Sequence, residues 1–196
     1  MFIKKFIRWA IISYQKNQFK NKAVLGNNII FNRKSKIINT KRKNIIISNN
    51  VLMFGLLQSK NDGVIKIGSN TSIRTGCKIF CAKEIKIGTN VIFADNVIIS
   101  DTNHHPTHPD DRKKMIQSGW STELWSWKYG TSKAISIGNN VWLGQYSRVT
   151  KGVKIGENSI VASNAVVTKD VPPNSIAAGN PAKIVKTNIQ EETRRF

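Results

Sequence analysis

The chain has 196 residues, 40% of them apolar and 21% charged, with 31 Lys and Arg against 11 Asp and Glu, a formal net charge of +20. That is room for one ordinary domain with some surplus, and the composition excludes both a disordered chain and a membrane-spanning one. The charge predicts anionic partners such as nucleic acid, a phosphorylated cofactor, an acidic polymer or a lipid surface, while two cysteines, Cys77 and Cys81, exclude a disulfide framework and suit a reducing compartment.

Residues 1–23 read as an amphipathic helix. Ile3, Phe6, Ile7, Ala10, Ile11 and Tyr14 share one face, and Lys4, Lys5, Arg8 and Gln15 the other. Two roles stay open at this point. The helix caps an exposed sheet end below it, or it lies on a membrane surface. No apolar run approaches the roughly 18–20 residues of a span. The N-terminus has neither the sustained apolar core nor the cleavage site of a signal peptide. The expectation is a cytoplasmic protein, with peripheral contact at the inner membrane face as its extension.

From residue 24 to 186 the governing feature is a step of six. Ile137, Leu143, Val149, Ile155, Val161 and Val167 are all aliphatic, and Val141, Ser147, Val153, Ser159, Ala165 and Val171, four residues after each, are all small or β-branched. Upstream the same grammar runs in coils of 20 residues: Ile47 and Met53; Ile67, Ile73 and Ile79; Ile87, Phe93 and Ile99. Asn50, Asn70, Asn90, Asn140 and Asn158 each stand three past the aliphatic, where asparagine tolerates the left-handed backbone of a tight corner. Period six is neither a helix nor simple alternation. Short strands with a corner every six residues wind into a triangular solenoid whose coils stack at about 4.8 Å. The predicted class is an all-β solenoid with a short N-terminal helix and one long ejected loop. That loop, residues 101–134, is polar, carries all three histidines, and is taken as functional. Residues 187–196 form a tail.

The hexads, the segment Ile137-Gly138-Asn139-Asn140-Val141-Trp142-Leu143-Gly144, and the stretch from Val167-Thr168-Lys169-Asp170 to Gly179-Asn180-Pro181-Ala182-Lys183 resemble the hexapeptide-repeat acyltransferases. The resemblance covers about 45–186. It is closest to the sugar O-acetyltransferases, of the maltose and galactoside and of the capsule and lipopolysaccharide kinds. It implies a left-handed parallel β-helix, homotrimeric assembly with sites between chains, acetyl-CoA as co-substrate and no metal. It also implies a histidine general base, since a sugar hydroxyl is too weak an acid to ionise alone and imidazole titrates near neutrality. Aligned on His-Pro, the base is His105; counted from Ile87 without a gap, it is His104. His108 fits no role and is expected in solvent.

The same resemblance makes Asp101 an orienting or acceptor-binding group and puts Trp142 near the acceptor. It sets Gly144 and Gln145 where backbone N–H groups meet the thioester carbonyl. Ser163, Thr168, Lys169 and Lys183 follow as the coenzyme side, the lysines meeting phosphates as point charges. Arg74 stands where related enzymes carry an acceptor asparagine, which favours a carboxylate- or phosphate-bearing acceptor over a neutral sugar. The function expected is acetylation of a sugar hydroxyl in a bacterial surface polysaccharide or its precursor. An N-acetyltransferase of an amino-sugar nucleotide is the alternative, and a basic binding protein a further one; no nucleic-acid motif appears. Trp120, Trp125 and Trp127 in the loop are expected to pack between chains. Residues 1–60 contain no Asp or Glu, which suits an anionic membrane surface, although an AT-rich genome would also enrich lysine.

Overall fold

The computed structural model describes residues 7, 10, 13–14 and 17–195. Its strands form three parallel sheets, the faces of a triangular prism. The first face stacks Val24–Leu25, Ile45–Ile47, Val64–Ile67, Glu84–Ile87, Ile135–Ile137 and Lys154–Ile155. The second stacks Ile30–Phe31, Leu52–Met53, Ser72–Ile73, Ile92–Phe93, Trp142–Leu143, Ile160–Val161 and Ile176–Gly179. The third stacks Lys36–Ile38, Leu56–Ser59, Lys78–Cys81, Ile98–Ser100, Arg148–Val149 and Val166–Val167. This is the all-β solenoid expected, a left-handed parallel β-helix.

The six-residue rule explains the core. Ile137, Leu143, Val149, Ile155, Val161 and Val167 are each no more than 3% exposed, and Val141, Ser147, Val153, Ser159, Ala165 and Val171 no more than 4%. Each of these strands therefore turns at least one aliphatic inward, worth roughly 1.5–3 kcal/mol of transfer free energy per side chain before chain entropy is set against it. Equivalent residues stack coil on coil, Ile45 on Ile65 and Ile65 on Ile85, so the core is a column of like side chains. The corner between the first and second faces is asparagine. Asn28, Asn50, Asn70, Asn90, Asn140, Asn158 and Asn174 all sit at φ between 52° and 59°. Their amides form short ladders: Asn28 donates to Asn50 at 3.0 Å, Asn50 to Asn70 at 3.1 Å, and Asn158 to Asn174 at 2.9 Å.

The two ends differ. At the N-terminal end Phe19 is 7% exposed and its ring lies 4.8 Å from that of Phe31, so an aromatic plug closes the first coil. The amphipathic face expected over residues 1–23 falls largely outside the described residues; of its described members, Ile7 and Tyr14 are helical and exposed. At the C-terminal end the chain reverses. Ala182–Lys186 pairs antiparallel with Ile176–Gly179, a departure from the parallel winding that protects the last edge of the second sheet.

Candidate functional site

The ejected loop leaves the edge between the third and first faces, after Ser100, and returns at Ile135. Its neck is cinched. The amide of Asn103 donates to Thr131 O at 3.0 Å and that of Lys133 to Asp101 O at 2.9 Å, and Thr102 bridges Ser132. Beyond the neck the chain is structured: a helix, Pro109–Gln117, and two short 3₁₀ turns, Glu123–Trp125 and Trp127–Tyr129.

Asp101 is the anchor of this neck. It is wholly buried, and its carboxylate accepts from the amides of Ala82, Lys83 and Glu84 at 2.7, 2.8 and 2.9 Å. The Cys81 thiol donates to it at 3.2 Å. Burial, then the neighbouring Asp101 charge, pushes that thiol far above its ordinary range, so it stays protonated. The expected orienting contact from Asp101 to a histidine is absent from this geometry. The carboxylate instead fixes the loop to a turn in the coil before it.

The two adjacent histidines occupy different surroundings. His104 has φ of 66°, and its amide donates to Thr102 Oγ1 at 3.1 Å. Its ring stacks on Trp127 with centroids 4.3 Å apart and meets the edge of Phe80 at 5.3 Å, while Nε2 lies 3.3 Å from Ser100 Oγ. Burial, then the nearby His105 and Arg148, holds the His104 imidazole below its usual pKa, against a smaller opposing effect of Asp101. Gly130 packs directly on this backbone: a Cβ on that residue would lie 2.9 Å from the His104 carbonyl carbon. His105 meets Trp125 edge to face at 5.5 Å, and its Nδ1 is buried with no hydrogen-bond partner among the described residues. His108 is exposed as expected, and it caps the helix, its Nδ1 accepting from the Asp110 amide at 3.3 Å.

The loop tryptophans divide. Trp127 is 9% exposed, buried within the single chain between His104, Phe80 and Lys60, whose Nζ lies 5.1 Å above the ring. For this residue the expectation of an aromatic left bare by one chain is wrong. Trp120 is 78% exposed, and Trp125 is intermediate.

The second group of residues lies on another edge, between the second and third faces. Gly144-Gln145 stacks on Ala162-Ser163: a Cβ on Gly144 would fall 2.5 Å from Ser163 N, so glycine is required by the coil beneath. The Gly144 amide donates to Val161 O at 2.7 Å. It is spent in the ladder between coils. The amide of Gln145 makes no hydrogen bond among the described residues, and its side chain is exposed. Arg74 shares this edge, with Nε 3.9 Å from Asp95 Oδ1 of the next coil. Trp142 points outward from the second face, about half exposed, between Ile92 and Ile160.

Thr168 and Lys169 return to the histidine edge, and Lys183 lies on the terminal antiparallel strand. All three are exposed, and among the described residues neither lysine is in an ion pair. The fit to an acetyl-CoA substrate rests on these features. A small-residue wall of Ala162, Ser163 and Ala178 leaves room for an extended arm, Gln145 offers a free amide, and unpaired lysines suit phosphates. Within one chain these two groups of residues stay apart. The histidines and the Gly144–Ser163 corner stand on edges separated by the third face, about 15 Å of extended chain.

Residues 134–169 match the family model described as bacterial transferase hexapeptide (six repeats). The chain is 38% identical over 122 residues to a galactoside O-acetyltransferase of Escherichia coli (strain K12), covering 62% of this chain and 53% of that one. It spans about half the length of the curated relatives it matches. Among solved structures, the polySia specific acetyltransferase NeuO superposes with a TM-score of 0.62 at 27% identity, over 90% of this chain and 86% of that one. A hexapeptide-repeat acetyltransferase of Vibrio cholerae O1 biovar eltor, complexed with acetyl coenzyme A, superposes with a TM-score of 0.54 at 28% identity, over 67% of this chain and 64% of that one.

Proposed function

We propose that this chain, a member of the bacterial hexapeptide-repeat transferase family, is an acetyl-CoA-dependent O-acetyltransferase acting on a sugar hydroxyl of a surface polysaccharide or its precursor. The observation that carries the reading is the His104–His105 pair held at a prism edge by a cinched loop. The relatives support it, being named for acetylation of galactosides and polySia, with one bound to acetyl coenzyme A.

His105 is the base. The acceptor oxygen attacks the thioester carbonyl carbon as its proton passes to the imidazole. The tetrahedral oxyanion takes a hydrogen bond from a backbone amide, for which Gln145 N–H is the free candidate. Collapse breaks the C–S bond, and the imidazolium returns the proton to the departing thiolate. Ser163, Thr168, Lys169 and Lys183 hold the coenzyme, and Trp142 and Arg74 line the acceptor side. Because Arg74 is solvent-accessible and its contact to Asp95 is a long surface pair worth little, an anionic acceptor group competes readily for it.

Three chains complete the site, the histidine edge of one meeting the Gln145 edge of the next. The first coil adds a place of work. Arg33, Lys34, Lys36, Arg42 and Lys43 are all exposed around the N-terminal rim, with no acidic residue before Asp62, and this suits peripheral contact with an anionic membrane. Among the described residues no helix is long and apolar enough to cross one. The test of the whole reading is release of coenzyme A from acetyl-CoA across a panel of neutral and acidic glycans. Stimulation by a glycan supports it, and a flat response to the panel overturns it.

A further inference from the structure

Trp120 is the most exposed large apolar side chain of the loop, at 78%, while Trp127 and Met115 of the same loop are buried. Its exposure does not come from slack chain. Ser118 Oγ donates to Met115 O at 2.8 Å and lies 2.6 Å from Thr122 Oγ1, tying off the turn that carries Trp120. Trp125 Nε1 donates to Gly119 O at 2.7 Å, and Ser126 N to Glu123 O at 2.8 Å. The two indoles rest 5.1 Å apart, inclined by 34°, and Trp125 in turn meets His105 at 5.5 Å. A contiguous aromatic surface thus runs from the histidine outward, held by hydrogen bonds on both sides and open to solvent at its far end.

Rigid, exposed indoles present a flat apolar face with a polar rim, and such patches mark interaction sites. Two tryptophans bury about 150–250 Å² each, well short of the roughly 800 Å² per partner of a stable protein interface. Their area suits a ring-sized ligand. The apolar C–H face of a pyranose is such a surface, with hydroxyls at its rim for water and nearby side chains. Resting on the acetyltransferase reading above, we infer that Trp120 and Trp125 form a stacking platform for the sugar unit next to the one acetylated, so that the acceptor is an oligosaccharide or polymer rather than a single sugar.

The experiment measures binding apart from turnover. Quenching of tryptophan fluorescence is followed as the 196-residue chain is titrated with maltohexaose and with an oligosialic acid, each against its own monosaccharide. At least one oligosaccharide is expected to bind at least 10-fold more tightly than its monosaccharide. Trp120→Ala is expected to abolish that difference and Trp120→Phe to keep most of it, with acetyl-CoA affinity and the light-scattering mass unchanged. Failure of both oligosaccharides to outbind their monosaccharides overturns the platform, as does a Trp120→Ala protein that binds like the parent. A Trp120→Ala protein of lower mass also overturns it and makes the patch an interface between copies. Oligosaccharide binding that depends on Trp120, in a protein that transfers no acetyl group, keeps the platform and rejects the activity.

Discussion

His104 and Trp127 lie ring on ring, 4.3 Å between centroids and 7° from parallel, with the edge of Phe80 against the histidine and Ser100 Oγ at its Nε2. A ring so engaged on face, edge and nitrogen serves to hold the loop against the third face. The neighbouring His105, the base in the proposed reading, has a buried Nδ1 with no partner among the described residues.

The two substitutions should therefore separate. His105→Ala is expected to lower turnover by about 10²–10⁴, the usual worth of a general base, with acetyl-CoA affinity nearly unchanged. His104→Ala removes an aromatic pair worth about 0.5–1.5 kcal/mol, so its effect should appear in thermal unfolding more than in turnover. Steady-state kinetics and melting curves of both variants decide it. A reversed order makes His104 the base.

The lowered pKa of His104 has a consequence in pH. The folded state resists protonation of this ring, because charging it would desolvate an imidazolium beside His105, Arg148 and Lys60. The unfolded chain binds the proton at the ordinary value of 6.5, so it holds more protons just below that pH. Stability is then full above about 6.5 and falls as pH drops toward the lower folded value. Trp127 lies on the titrating ring, so tryptophan emission and melting temperature should both decline on acidification. His104→Phe should flatten this part of the decline. An unchanged profile in that variant assigns the acid sensitivity elsewhere.

Asp101 gives a prediction of the opposite kind. Replacing it with Ala leaves three backbone amides and the Cys81 thiol facing an emptied, buried site. A buried donor left without its partner costs about 1–3 kcal/mol, so Asp101→Ala should lose several degrees of melting temperature and loosen the loop neck, seen as faster hydrogen exchange at Asn103 and Lys133. Unaltered stability and exchange with lost turnover would return Asp101 to the direct role that the family resemblance suggested.

What the sequence displayed and what it hid follow from range. The aliphatic positions recur every six residues within a coil and the corner asparagines once per coil, and each meets its equivalent one coil away, so local spacing encodes the core. The first coil broke the rhythm: Val24 pairs with Ile46 and Leu25 with Ile47, a step of 22 residues stretched by the 3₁₀ turn Arg42–Asn44, against 20 between Ile45 and Ile65. The loop contacts carry no spacing at all. Phe80 finds Trp127, and Asp101 finds the amides of 82–84, only because the prism brings coils together. The helix after His108 was readable, since Pro109 and the acids Asp110 and Asp111 are ordinary start signals, yet the stretch reads as polar loop when its histidines take precedence.

The basic rim of the first coil predicts a salt-dependent affinity for anionic surfaces. Flotation with vesicles rich in phosphatidylserine should carry the protein at low salt and release it at moderate salt, with neutral vesicles carrying none. Each basic residue near the surface contributes about 1 kcal/mol, so reversing Arg33, Lys34 and Lys36 to Glu should abolish flotation without touching the histidine edge. Absence from both vesicle types assigns the charge to coenzyme and acceptor alone.

Assembly is the prediction on which the site depends. On the second face Ile30, Leu52, Ser72, Ile92, Trp142 and Ile160 stand in register on successive coils, all pointing outward. Ile30, Ile92 and Trp142 are each between 43% and 51% exposed, an apolar ridge on a flat face. A ridge on one face of a three-sided prism, with the two halves of the site on different edges, is met by a ring of three chains. Light scattering should give about three times the 22.0 kDa of one chain. Ile92→Glu, which places a charge in the middle of the ridge and leaves every proposed site residue intact, should yield the single-chain mass and lose acetyl transfer together. A parent protein at 22.0 kDa that still transfers acetyl would show that one chain completes the site, and the two edges would then have to be bridged by the loop itself.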